Sequence, residues 1–270
     1  MPYLFLFLSL FSSVLIVLLL KAGDRKKRDS LVIIASNYPM AVALGLGFGD
    51  DVRLNLQVLL LAVFLGFLFL AAFLLYGQAI ATEGVTPSVT MGRLSLAVPA
   101  SLSILVWGET PKPYHWPALI MVLIIIFLWE GKGKRISWIL LSLFLLFGLI
   151  DTGMKFFKSN FPVVNDGSFL TILFASAGVW SWLLLRLRKI KPKMADIGFG
   201  MVLGIPNFFS TFFLLLSLKH LPGYLVFPVV NVGAVLMAFL AGAWLFGEKI
   251  GRRKIFLMIF GLLAVILLTV

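Results

Sequence analysis

The chain has 270 residues, 61% of them hydrophobic and 13% charged, with a mean hydropathy of +1.08. That leaves too little polar surface to cover a soluble globule, so the composition is that of an integral membrane protein. A formal charge of +12 invites a nucleic-acid reading, and the absence of cysteine excludes disulfides, thiolate metal sites and a cysteine nucleophile.

Apolar runs of about 17 to 25 residues, enough to cross a hydrocarbon core of roughly 30 Å as helix, recur along the sequence and are too long for barrel strands. In chain order they fall at 3–20, 31–48, 56–80, 86–107, 114–129, 136–156, 169–187, 197–218, 224–246 and 255–270. They predict an all-α polytopic protein of ten transmembrane helices. The first run has no basic residue before it, and no small-residue cleavage site precedes the loop KAGDRKKRDS, so it is expected to be a retained helix rather than a signal peptide.

Basic residues crowd the loops after odd-numbered helices, at 21–28, 132–135, 186–193 and 249–254. Loops after even-numbered helices carry only Arg53, Lys112, Lys155, Lys158 and Lys219, and Arg93 lies inside a helix. The positive-inside rule puts the first set in the cytoplasm and both termini outside. No aromatic platform or base-reading motif accompanies the basic runs. They read as solvated loops facing anionic headgroups, not as a nucleic-acid surface.

Two segments repeat at an offset of 139 residues: GVTPSVTMGRLSLAVPASLSILVWGE at 84–109 and GYLVFPVVNVGAVLMAFLAGAWLFGE at 223–248. Both begin with glycine and end with Gly-Glu. The chain therefore divides into repeats at 1–131 and 132–270, each with five predicted helices. An odd number per repeat makes the halves inverted in the membrane, an arrangement found in many secondary transporters.

The ten helices, the five-plus-five duplication, and Gly108-Glu109 and Gly247-Glu248 after the fourth helix of each repeat resemble the drug/metabolite transporter superfamily. The likeness is to its ten-helix EamA-like branch of metabolite exporters and covers essentially the whole chain. It implies alternating-access export of a small metabolite, such as an amino acid or a related amphipathic solute, from a multi-pass protein of the cell (inner) membrane. The first four helices of each repeat would line a central cavity. The fifth would either pack the halves together or form the surface of a homodimer. A lipid-carrier or nucleotide-sugar translocator of the same fold is the nearest alternative, and a non-transporting membrane scaffold is the alternative of another class. The expected partners are a small-molecule solute and membrane lipid.

Polar groups at bilayer depth are costly and usually face a cavity or a partner helix, which makes them the candidate site residues. Arg93 lies nine residues past Gly84, roughly 13 Å into its helix at 1.5 Å per residue and so near the midplane. The repeat offset sets Gly92 opposite Asn231 in the ninth helix. A guanidinium there suits a carboxylate or phosphate with two parallel hydrogen bonds; an internal ion pair, or snorkelling toward headgroups, would be structural uses of it. Asp151 and Lys155, four residues apart, share a helical face and are expected to pair, either structurally or at the cavity mouth, unless Asp151 carries a coupling proton.

Asn37 and Tyr38 before Pro39, Tyr76 and Gln78, Trp180, and Asn207 after Pro206 complete the candidate cavity lining. Each of them either meets solute or hydrogen-bonds a neighbouring helix. Glu83, Glu109 and Glu248 stand at helix ends, where a glutamate either fixes a turn or binds something. His115 and His220 have no partner at metal-ligand spacing, and there is no phosphate-binding loop or nucleophile elbow. The sequence therefore predicts no enzyme, no metal and no cofactor, with any pumping driven by ion or solute gradients.

Overall fold

The computed structural model describes residues 2–50, 55–83, 85–129, 137–246 and 252–269. Regular structure among them is entirely helical: α1 Pro2–Arg25, α2 Ser30–Phe48, α3 Leu56–Glu83, α4 Val85–Leu94, α5 Ala97–Leu105, α6 His115–Trp129, α7 Trp138–Asn160, α8 Asp166–Leu187, α9 Met194–Leu218, α10 Gly223–Phe246 and α11 Arg252–Thr269. Six of them, α1, α2, α3, α7, α8 and α9, are long and apolar enough to cross a membrane. Shorter apolar stretches run over Met91–Leu105, His115–Ile124, Gly223–Ala234 and Ile259–Thr269. The chain is an all-helical membrane protein. Hydrocarbon offers the backbone no partner, so each segment satisfies its own N–H and C=O groups as helix.

Helix starts are set by short polar side chains. Asp29 accepts from the backbone N–H of Leu31 at 2.9 Å and Val32 at 3.1 Å, Asn55 from Val58 at 2.8 Å, and Asn165 from Ser168 at 3.1 Å. Apolar side chains sit on both sides of the helices. In α1, Leu6, Leu10 and Val14 are buried while Leu4, Phe7 and Phe11 stand exposed. Such an outward face suits lipid.

The span predicted at 86–107 is not one helix. It is divided into α4 and α5 by a turn at Ser95 and Leu96. The cause is Pro99, which has no N–H to give the Ser95 carbonyl. Val98 N–H serves that carbonyl instead, at 3.0 Å, and the Ser95 hydroxyl turns back to the Gly92 carbonyl at 2.7 Å.

The chain forms two compact units, Met1–Ala71 with Phe156–Lys219 and Ala72–Lys155 with His220–Val270. Each draws on both halves of the sequence. In the first unit α2 packs along α8 and α9, and α1 along α9. A Cβ at Gly204 would collide with the Asn37 carbonyl and one at Gly200 with the Ile33 carbonyl, so α9 approaches α2 through small residues four apart. A buried ion pair, Lys158 with Asp166 at 2.6 Å, ties the end of α7 to the start of α8 beside the stacked rings of Phe157 and Phe169. Arg28 binds Asp196 at 3.1 Å and lies over the Phe199 ring.

In the second unit α6 packs on α11 and α4, and α10 on α5 and α11. Ala79, Leu140 and Leu143 form a buried cluster joined by Tyr76, Met91 and Phe147.

Candidate functional site

Arg93, in the last turn of α4, is partly buried in the second unit. Its Nη1 donates to Asn231 Oδ1 of α10 at 3.2 Å. The amide is oriented from behind, because Asn231 Nδ2 donates to the Phe227 carbonyl one turn earlier at 3.0 Å. That leaves Oδ1 toward the guanidinium. Among the described residues no carboxylate lies within ion-pair distance of Arg93.

A carboxylate is nevertheless near. Asp151 and Tyr76 both act electrostatically on the Arg93 charge. The helical register accounts for this. Phe147, one turn before Asp151 on α7, lies 3.6 Å from where a Gly92 Cβ would stand and meets the Tyr76 ring edge-on at 6.0 Å. The face of α7 bearing Phe147 and Asp151 is therefore turned toward α4 and the second half of α3. Beside it, the Thr152 hydroxyl is buried without a hydrogen-bond partner.

Lys155 does not pair with Asp151 as the four-residue spacing predicts. It lies 2.5 Å from Glu109 Oε1, and both side chains are largely buried. The same carboxylate accepts from the Gly223 N–H at 2.9 Å and the Tyr224 N–H at 3.2 Å, the open donors at the start of α10. A tertiary acceptor already oriented by two backbone donors outcompetes an i, i+4 partner, whose contribution on a helix is only about 0.2–0.5 kcal/mol. Gly108 makes the arrangement possible. Its φ of +65° is a left-handed conformation that side chains disfavour, and it turns the chain so that Glu109 N–H reaches the Ser103 carbonyl at 3.1 Å while the side chain points to α10. This explains the first Gly-Glu pair. Gly247 and Glu248, its counterparts in the repeat, lie outside the described residues, as does Gly84, which opens the first repeat segment.

The other candidates lie elsewhere. Gln78 is exposed. In the first unit Asn207 Nδ2 donates to Asn37 Oδ1 at 2.8 Å, and Asn37 Nδ2 donates to the Ile34 carbonyl at 2.7 Å. These two asparagines join α9 to α2. Tyr38 is buried and stacked on Phe174, and Trp180 is exposed and packs roughly perpendicular to the Phe67 ring. Glu109, Phe147 and Thr152 are the contributors that spacing alone did not single out. No group of three metal-ligating side chains occurs among the described residues.

Together these features define an all-helical, multi-pass membrane protein with a guanidinium, an amide, a phenol and a carboxylate gathered inside one helical unit. No family model matches the chain. A protein of Haemophilus influenzae described as uncharacterized is 25% identical over 283 residues, covering 96% of this chain and 95% of its own length. A solved structure, described as the crystal structure of a protein, superposes with a TM-score of 0.81 over 99% of this chain and 96% of that one, at 13% identity. At that identity the likeness concerns the fold alone.

Proposed function

We propose that the protein is a secondary transporter that carries a small, carboxylate-bearing metabolite across the membrane by alternating access. In this reading the ten apolar runs cross the bilayer as two inverted five-helix repeats of the drug/metabolite transporter type, in the cell (inner) membrane with both termini outside. Rocking between the repeats exposes the site to one face at a time. No chemical step is involved.

The observation that carries the reading is the way Arg93 is held. A buried guanidinium whose only role is structural is usually compensated by a carboxylate at contact distance, because an unpaired charge in an apolar setting is costly. Arg93 is steadied by a neutral amide at 3.2 Å. Among the described residues its other donors have no hydrogen-bond partner, and the planar fork of a guanidinium fits a carboxylate with two parallel bonds. Phe147 and Tyr76 beside it suit a solute with an apolar part.

The test is a thermal-stability screen of purified protein in detergent against carboxylic acids, amino acids, nucleotide sugars and cationic amphiphiles, run in parallel on Arg93→Ala. A ligand that binds only the folded state raises the melting temperature by mass action, about 2.7 kcal/mol at a hundredfold excess over Kd. Carboxylate-bearing solutes should stabilise the wild type and not the variant. Stabilisation confined to phosphorylated ligands, or equal in both proteins, would overturn the reading.

A further inference from the structure

Glu109 lies in a loop and hydrogen-bonds neither Arg93 nor Asn231, yet it engages the lysine one helical turn from Asp151. Lys155 stands one helical turn from Asp151 on α7, within reach for an i, i+4 pair. Glu109 takes Lys155 at 2.5 Å and is itself fixed by two backbone donors of α10, the helix that also carries Asn231. Lys155 also faces the Trp107 ring, with Nζ 6.0 Å from its centroid. With Lys155 so engaged, the Asp151 carboxylate has no hydrogen bond or ion pair among the described residues. Asn231 in turn holds Arg93, accepting a hydrogen bond from the guanidinium at its amide oxygen. The unit thus keeps Arg93 and Asp151 within electrostatic reach of each other, with Asn231 bonded to the first and Glu109 engaging the lysine one turn from the second.

We propose that Glu109 is a positioning residue for this site: by holding Lys155 it keeps Asp151 open, so that the site takes a zwitterionic solute, its carboxylate on Arg93 and its protonated amine on Asp151. The inference rests on the reading of Arg93 as an anion-binding group and adds the second charge and the residue that maintains it. With Glu109 neutralised, Lys155 turns to Asp151 and cancels the ammonium subsite. Arg93 is left intact, so the selectivity of the site moves from amino acids to simple acids.

The experiment is a thermal-shift titration of the full-length protein with a panel of amino acids, each accompanied by its deaminated acid and its decarboxylated amine. It compares wild type, Glu109→Gln, Asp151→Asn and the double variant Glu109→Gln with Lys155→Met. In wild type at least one amino acid should bind about tenfold more tightly than its deaminated acid, the equivalent of one well-placed charge contact. Glu109→Gln and Asp151→Asn should abolish that preference while the acid still binds. Removing the lysine in the double variant should restore it, which a purely structural capping role would not do. Should Glu109→Gln fail to fold, Asp151→Asn and Lys155→Met carry the test: the first must erase the preference and the second must preserve it. An equal loss of acid and amino acid in Glu109→Gln, or no restoration in a folded double variant, overturns the role of Glu109. Acids that bind wild type as well as amino acids do would overturn the zwitterion while leaving the transporter reading standing. If nothing bearing a carboxylate binds wild type, both fall.

Discussion

Arg93 and Asn231, 138 residues apart in sequence, are joined by a 3.2 Å hydrogen bond from guanidinium to amide oxygen. The amide supplies direction without charge. It holds the guanidinium in place without adding a carboxylate at contact distance, which is what an anion-binding group requires.

Replacing Asn231 should therefore separate orientation from charge. Asn231→Asp places a carboxylate against Arg93, and an anionic solute then competes with a built-in ion pair; binding of carboxylates should fall at least a hundredfold while the melting temperature holds or rises. Asn231→Leu removes only the orienting bond. Binding should weaken about tenfold, and stability should fall by about 0.5–1.5 kcal/mol for one lost hydrogen bond. Titration calorimetry and thermal unfolding of the two variants check both halves of the prediction, and equal effects of Asp and Leu would contradict it.

At Arg93 itself, lysine should not substitute. An ammonium on a flexible stem offers a point charge where the site provides for a planar fork. Arg93→Lys is expected to keep the fold and lose most of the affinity for carboxylates, and Arg93→Ala to lose all of it. Wild-type affinity in Arg93→Lys would mean that the charge alone is read.

The pair Asn37 and Asn207 should behave as structure and not as site, because the Asn207 amide donates to the Asn37 amide oxygen from α9 across to α2. Asn37→Leu or Asn207→Leu should lower stability, and a double-mutant cycle should return a coupling of about 0.6–1.7 kcal/mol, the range of interhelical hydrogen bonds in membranes. Solute affinity should not move. A selective loss of binding in either single variant would place these residues at a site.

Lys158 and Asp166 form a buried pair at 2.6 Å. Removing one partner strands the other's charge, so Lys158→Met should cost about 3–5 kcal/mol. Replacing both with apolar residues of similar volume should restore much of that loss. Denaturation in detergent distinguishes this from a pair that acts only through its attraction, for which the double variant would be no better than the single.

The sequence revealed the class of the protein and brought two residues of the candidate site near one another, and it missed what depends on long-range competition. Hydropathy marked the long helices because lipid leaves the backbone no other solution. The repeat offset brought Gly92 and Asn231 into register, one residue from the contact that Arg93 makes with Asn231. Apolar continuity hid the break at Ser95 and Leu96, although Pro99, which causes it, was in plain view. The spacing of Asp151 and Lys155 predicted a local pair, whereas a glutamate 46 residues from Lys155 took the lysine. No local rule could have ranked these two partners. The outcome depends on where the start of α10 presents its free N–H groups, which is a property of the fold.

The most direct test of the transport reading is counterflow in proteoliposomes preloaded with an unlabelled amino acid or carboxylic acid that stabilises the protein. Labelled solute should accumulate transiently inside vesicles containing wild type and stay at the level of empty vesicles with Arg93→Ala. Accumulation undiminished in Arg93→Ala would contradict the assignment of the site, and no accumulation in wild type for any stabilising solute would contradict transport itself.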